Sequence, residues 1–108
     1  MAIETANVTT AVGNVYVSSG NTAVTFLSLC NTGASNVTAN VHVVPSGDAA
    51  DATNLHLIGL EITASGANTG DTYQLYSGGE KLLLGNGDSI QASSSANTVT
   101  AITSYTSI

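Results

Sequence analysis

Charge is what this chain has least of. Seven Asp or Glu and a single Lys, Lys81, make up 7% of its 108 residues, where an ordinary soluble domain carries roughly a quarter. There is no Arg and no Trp, one Phe, one Pro and one Cys. The lone cation and the net charge of −6 exclude nucleic acid as a partner, because nothing neutralises phosphates or releases their counterions. An anionic membrane surface is excluded on the same ground. No apolar run approaches the ~18 residues that cross a bilayer. The opening residues Met1-Ala2-Ile3-Glu4-Thr5 show neither the basic n-region nor the apolar h-region of a signal peptide. The sequons at Asn7 and Asn36 therefore read as chance matches in an Asn- and Thr-rich chain.

The same shortages exclude most chemistry. Cys30 stands alone, so no intramolecular disulfide forms, and its strand-like surroundings Phe26-Leu27-Ser28-Leu29 suit a buried, inert thiol. A reactive thiolate needs an electropositive neighbourhood that this chain barely has. His42 and His56 are the only imidazoles, and no Cys-His or His-x-His spacing supplies a third metal ligand. Asp48 and Asp51 share a loop with Ser46 but lack the alternating acids and closing Glu of a calcium loop. Glu61, Glu80 and Asp88 are scattered, with no pair marked for acid-base work. The glycines at Gly78-Gly79 and Gly85-Asn86-Gly87 precede no helix and no Lys in phosphate-loop register. No nucleophile elbow occurs. The expectation is a protein without catalytic residues, metal or cofactor.

In place of charge the chain has Ser, Thr, Asn, Ala and Gly. Small neutral side chains lose little rotamer entropy on ordering, and a surface built from them has few ions to desolvate against another protein. Apolar residues make up 43% of the chain, so it is not disordered by composition. Its length fits one domain, burying roughly two thirds of its unfolded surface.

Short β-branched runs separated by Gly, Asn, Ser and Asp predict an all-β fold. Val15-Tyr16-Val17 opens the first clear strand. In Thr22 to Cys30, alternation sets Val24, Phe26 and Ser28 on one face and Thr25, Leu27 and Leu29 on the other. Both faces are largely apolar, which reads as a central strand covered twice. Val37 to Val44 alternates cleanly and stops at Pro45, which has no donor for a ladder. The loop Ser46 to Asp51 admits a short capped helical turn. Leu55 to Ile62, Thr72 to Tyr76, Leu82 to Leu84, Ser89 to Ala92 and Thr98 to Tyr105 supply further strands. Tyr73 and Tyr76, three apart in a strand, fall on opposite faces. The prediction is an antiparallel two-sheet sandwich of about seven or eight strands in a jelly-roll-like order. Residues 1–14 form an edge strand or an arm reaching a neighbouring subunit, ahead of a sandwich domain over 15–108.

Three stretches carry a resemblance. Cys30-Asn31-Thr32-Gly33 leads into the valine-rich strand that ends Val44-Pro45-Ser46-Gly47, and Glu80 to Ala92 follows with Leu82-Leu83-Leu84-Gly85-Asn86-Gly87-Asp88-Ser89-Ile90-Gln91-Ala92. This order resembles small β-sandwich structural proteins of tailed bacteriophage virions, over most of the chain from about Val15. The resemblance implies a virion structural protein with no catalytic residues to carry over. A chain of this length without a collagen-like or coiled-coil extension looks most like a capsid decoration (cement) protein. Such a protein would be assembled in the host cytoplasm, exposed outside the particle, and bridge subunits of the major capsid protein. The alternative is a neck, tail or fibre component touching a host-surface glycan. The uncharged surface also leads us to expect a homotrimer. The expected interface residues are Ile3, Val8 and Val12 from the N-terminal segment, with Tyr73 and Tyr76.

Overall fold

The computed structural model describes residues 2–66, 69–70, 72–75 and 81–108. The strands are β1 (Ala2–Val8), β2 (Gly13–Val17), β3 (Thr22–Asn31), β4 (Val37–Val44), β5 (Leu55–Ile62), β6 (Ala64–Gly66), β7 (Thr69–Gly70), β8 (Thr72–Leu75), β9 (Leu82–Leu84), β10 (Ser89–Ser94) and β11 (Val99–Ser107), and no helix occurs among the described residues. Two antiparallel sheets stack face to face. The first, sheet A, runs β1-β11-β3-β8 with β9 also on β3, and the second, sheet B, runs β2-β10-β4-β5. The shortest dimension, 19 Å, is that of two layers ~10 Å apart with their side chains.

β8 pairs with Leu27 to Cys30 and β9 with Thr22 to Val24, on the same edge of β3. They are two pieces of one broken edge strand. Counted as one, with the small β6–β7 hairpin set aside, they leave eight strands in the orders 1-8-3-6 and 2-7-4-5. That is the jelly-roll order of two Greek keys, as the short alternating runs predict. The extra hairpin, β6–β7, lies between Ile62 and the strand expected over Thr72 to Tyr76.

The core fills the space between the sheets. Leu27, Leu29 and Val24 of β3 and Val99 and Ala101 of β11 meet Val37, Ala39 and Val41 of β4 and Ile90 and Ala92 of β10. Tyr16 of sheet B lies against Tyr105 of sheet A, ring centroids 4.4 Å apart and tilted 36°, a spacing favourable to aromatic pairs.

Irregularities decide which residues look inward. Between Phe26, opposite Ser104, and Val24, opposite Tyr105, Thr25 is one residue extra on β3. Its Oγ1 donates to the Ser104 carbonyl at 3.3 Å. A bulge shifts the side-chain alternation by one residue. Val24 therefore joins Leu27 and Leu29 in the core, and the simple alternation that put it beside Phe26 is corrected. On β5 the register slips twice, between the partners of Ala39 and Val41 and again before His42. There Gly59 adopts φ 62°, a left-handed conformation that only glycine takes cheaply, and its N–H donates to Asn40 Oδ1 at 2.7 Å.

Side-chain knots close both ends. Asn31, fully buried, donates through Nδ2 to the carbonyls of Ser35 at 2.9 Å and Ile62 at 3.0 Å. Its Oδ1 accepts from the Gly33 N–H at 2.9 Å and the Thr98 hydroxyl at 3.2 Å. At the opposite end Asp88 accepts from the Ser46 and Gly85 N–H groups, each at 2.8 Å. The Asp88 carbonyl takes the Ser18 N–H at 2.8 Å, so three loops are tied together.

The segment before Val15 holds all of β1 and the start of β2. β1 pairs with β11 over seven consecutive residues, Ala2 opposite Tyr105 to Val8 opposite Val99. It is an edge strand of sheet A. The loop after Pro45 makes turns rather than a helical turn.

Candidate functional site

The site-forming feature is the outer face of sheet A, the face turned away from sheet B. Register sets it out in rows across the strands. Asn7 of β1 lies opposite Thr100 of β11, then Cys30 of β3, then Thr72 of β8. The next row is Thr5, Ile102, Ser28 and Gln74. Then come Ile3, Ser104 and Phe26, and beyond the bulge Thr106, Ala23 and Leu83. No carboxylate and no ammonium stands at any of these positions.

The face is part apolar and part hydroxyl. Ile3 is 68% exposed, Leu83 67% and Ile102 40%, while Phe26 and Cys30 are half-buried. The small residues Ser28 and Ala23 are screened by their neighbours although they point outward. Between β1 and β11 lies an open depression of about 370 Å³ lined by Thr5, Ala6, Asn7, Thr100, Ala101 and Ile102. Such a surface offers neutral donors, acceptors and aliphatic contact.

β3 explains why the sequence reads as doubly covered. It is interior to its sheet, between β11 and the β8/β9 edge. Its inward face is covered by sheet B, and neither of the two main sheets lies over Phe26, Ser28 and Cys30 on the other. Among the described strands, the expectation of two covering sheets is therefore met on one side only.

The other chemistry-bearing residues stand apart. His42 is held by the β4–β5 loop. Its Nδ1 lies 3.1 Å from the Asp51 carbonyl and 3.0 Å from Asn54 Oδ1. Both are acceptors, so Nδ1 carries the proton. The Asp51 carboxylate accepts from the Thr53 hydroxyl and from the Thr53 N–H at 2.9 Å. The hydroxyl contact, then the N–H, hold its pKa below the ordinary carboxylate value. These are loop-stabilising contacts. Among the described residues no three His, Cys, Asp or Glu side chains group to hold a metal.

Comparison with protein-family models, with curated proteins and with solved structures returns no match.

The residues expected at an interface are not brought together. Ile3 is on the outer face of sheet A, next to β11. Val12 is exposed in the β1–β2 turn at the Asn31 end. Tyr73 is opposite Leu29, so it belongs to the inward side of the far edge, where it is 36% exposed. Tyr76 lies outside the described residues. Val8 is a correction: at 1% exposure it sits in the core, because the pairing of β1 turns even positions inward. The reading missed Ile102, Phe26 and Leu83. The alternation Thr100, Ile102, Ser104 against Ala101, Thr103 was the available signal, and it needed the pairing of β11 with β1 and β3 to become a face.

Proposed function

We propose that the chain is a non-enzymatic structural protein of a tailed-phage virion, acting as a decoration protein that bridges and stabilises shell subunits from outside. The observation that carries this reading is the uncharged outer face of sheet A, a broad sheet surface suited to protein contact, with the shell or with another copy of the chain on it, rather than to catalysis. Two further features support it. The jelly-roll order occurs among viral capsid domains, although a fold alone does not assign a role. The stretches Cys30-Asn31-Thr32-Gly33, Val44-Pro45-Ser46-Gly47 and Leu82 to Ala92 resemble those of virion β-sandwich proteins.

The mechanism is linkage. A protein that binds only the assembled shell stabilises it by RT ln(1 + [L]/Kd), about 2.7 kcal/mol per site at a hundredfold excess over Kd. No proton or group transfer is required, and no cofactor.

The test is particle composition. Cells carrying the gene are induced, particles are separated on a density gradient, and peptides of the chain are sought in each fraction by mass spectrometry. Recovery with intact shells, in numbers comparable to the shell protein, is the expected result. Recovery with tails alone favours the neck, tail or fibre role. Absence from every particle fraction overturns the reading.

A further inference from the structure

We infer that the outer face of sheet A is a docking face for a second copy of this chain, packed sheet on sheet about a two-fold axis. The first argument is burial. β3 is apolar on both faces, and among the described strands a second sheet covers only the inward one. Phe26 and Cys30 point outward beside Ile102 and Ile3. Exposed apolar side chains gathered on one face mark an interaction surface in a way that scattered ones do not.

The second argument is charge, and it selects the occupant. The chain carries a net charge of −6, so two copies repel wherever carboxylates meet. The described acids all lie away from this face. Asp48, Asp51 and Asp88 are in loops, Glu61 is on β5 of sheet B, and Glu4 of β1 alternates with Ile3 and Thr5 to the inward side. A basic partner would be drawn to those acids rather than to a neutral sheet. A second copy matches this face with the same neutral rows, and an isologous contact of one patch with itself closes as a dimer, in place of the homotrimer expected from composition.

The third argument is area. Four strands at ~4.8 Å and about seven residues at ~3.3 Å give roughly 400 Å² of plane before side-chain relief is counted. Standard interfaces bury about 800 Å² of accessible surface per partner, and weak ones less. The face therefore supports a dimer of micromolar rather than nanomolar affinity. Salt should tighten it, since screening removes only the repulsion of the remote acids.

The experiment is sedimentation velocity of the intact chain from about 1 to 200 μM, at low and high salt, with three variants checked for fold by circular dichroism. The wild type should pass from monomer to dimer, and added salt should shift that transition to lower concentration. Ile102→Asp, which sets carboxylates into the centre of the contact, should weaken association at least a hundredfold. Ile3→Asp at the sheet margin keeps the test alive if Ile102→Asp fails to fold, and should weaken it at least tenfold. Ile58→Asp, on the β5 bulge of the other sheet and 76% exposed in the wild type, should leave it unchanged. Reaction of Cys30 with a thiol reagent should slow as the dimer forms. A monomer throughout the range overturns the inference, as does a trimer, a dimer indifferent to both Ile102→Asp and Ile3→Asp, or one broken by Ile58→Asp. Recovery in virions is a separate readout. A chain found on shells but monomeric in solution would leave the proposed function standing and remove this inference alone.

Discussion

Replacing Asn31 by Ala should be among the most damaging single changes in the chain. Asn31 is fully buried, and its amide makes four hydrogen bonds, two given and two received, to Ser35, Ile62, Gly33 and Thr98. A typical intramolecular hydrogen bond contributes a net ~1 kcal/mol, and a buried group left unpaired costs ~1–3 kcal/mol. The Ser35 carbonyl is in an exposed turn and can turn to water, whereas the Ile62 carbonyl bond is buried. The expected loss is about 3–4 kcal/mol, a large share of the ~5–15 kcal/mol that holds a domain folded. For a domain near this size that lowers Tm by roughly 12–25 °C. Urea unfolding followed by far-UV circular dichroism measures it, with the midpoint falling and the m-value unchanged if the damage is local. Asn31→Asp should be no better than Ala, because it sets acceptors against the carbonyls of Ser35 and Ile62. A loss below about 1 kcal/mol for Asn31→Ala would refute the view that this amide ties the β3–β4 and β10–β11 loops to the end of β5.

Thr103 is fully buried and its Oγ1 has no hydrogen-bond partner among the described residues. Thr103→Val should therefore be neutral or raise stability by up to about 1 kcal/mol in the same urea assay, since it removes an unpaired buried hydroxyl. At Gly33 an added Cβ would come within 2.9 Å of Thr98 Cγ2. Gly33→Ala should cost about 1–3 kcal/mol by overpacking, and a double-mutant cycle with Thr98→Ser should recover part of it. Removing the Asp88 carboxylate with Asp88→Ala should cost about 2–4 kcal/mol through its two N–H bonds and speed hydrogen exchange at Ser46 and Gly85. The depressed pKa of Asp51 has its largest cause in the Thr53 hydroxyl. Thr53→Val should raise the Asp51 titration toward the ordinary carboxylate value, followed by NMR. The wild-type contribution of this group is present above that ordinary value and fades as pH falls through Asp51's own lower one.

Much of the fold was legible in the chain itself, and for local reasons. Val37, Ala39 and Val41 alternate with Thr38, Asn40 and His42 because one face of β4 is core and the other more open, and Pro45 ends the strand because it has no N–H to give. The turns at Ser18-Ser19-Gly20-Asn21 and Gly85-Asn86-Gly87-Asp88 are written in residues that suit turns. The scarcity of charge set the expectation about partners before any coordinates. Tertiary structure decided what depends on pairing. Thr25 is an extra residue only because Ser104 and Tyr105 stand opposite it, so the inward turn of Val24 has no signal in β3 alone. Val8 reads as exposed arm until β11 pairs with β1 and carries it into the core. The two knots at Asn31 and Asp88 join residues as far apart in the chain as Ser18 and Asp88, beyond any local pattern. The outer face of sheet A is the same kind of fact. Ile3, Phe26, Leu83 and Ile102 lie in four separate runs, and only the order β1-β11-β3 with β9 beside it lays them on one surface.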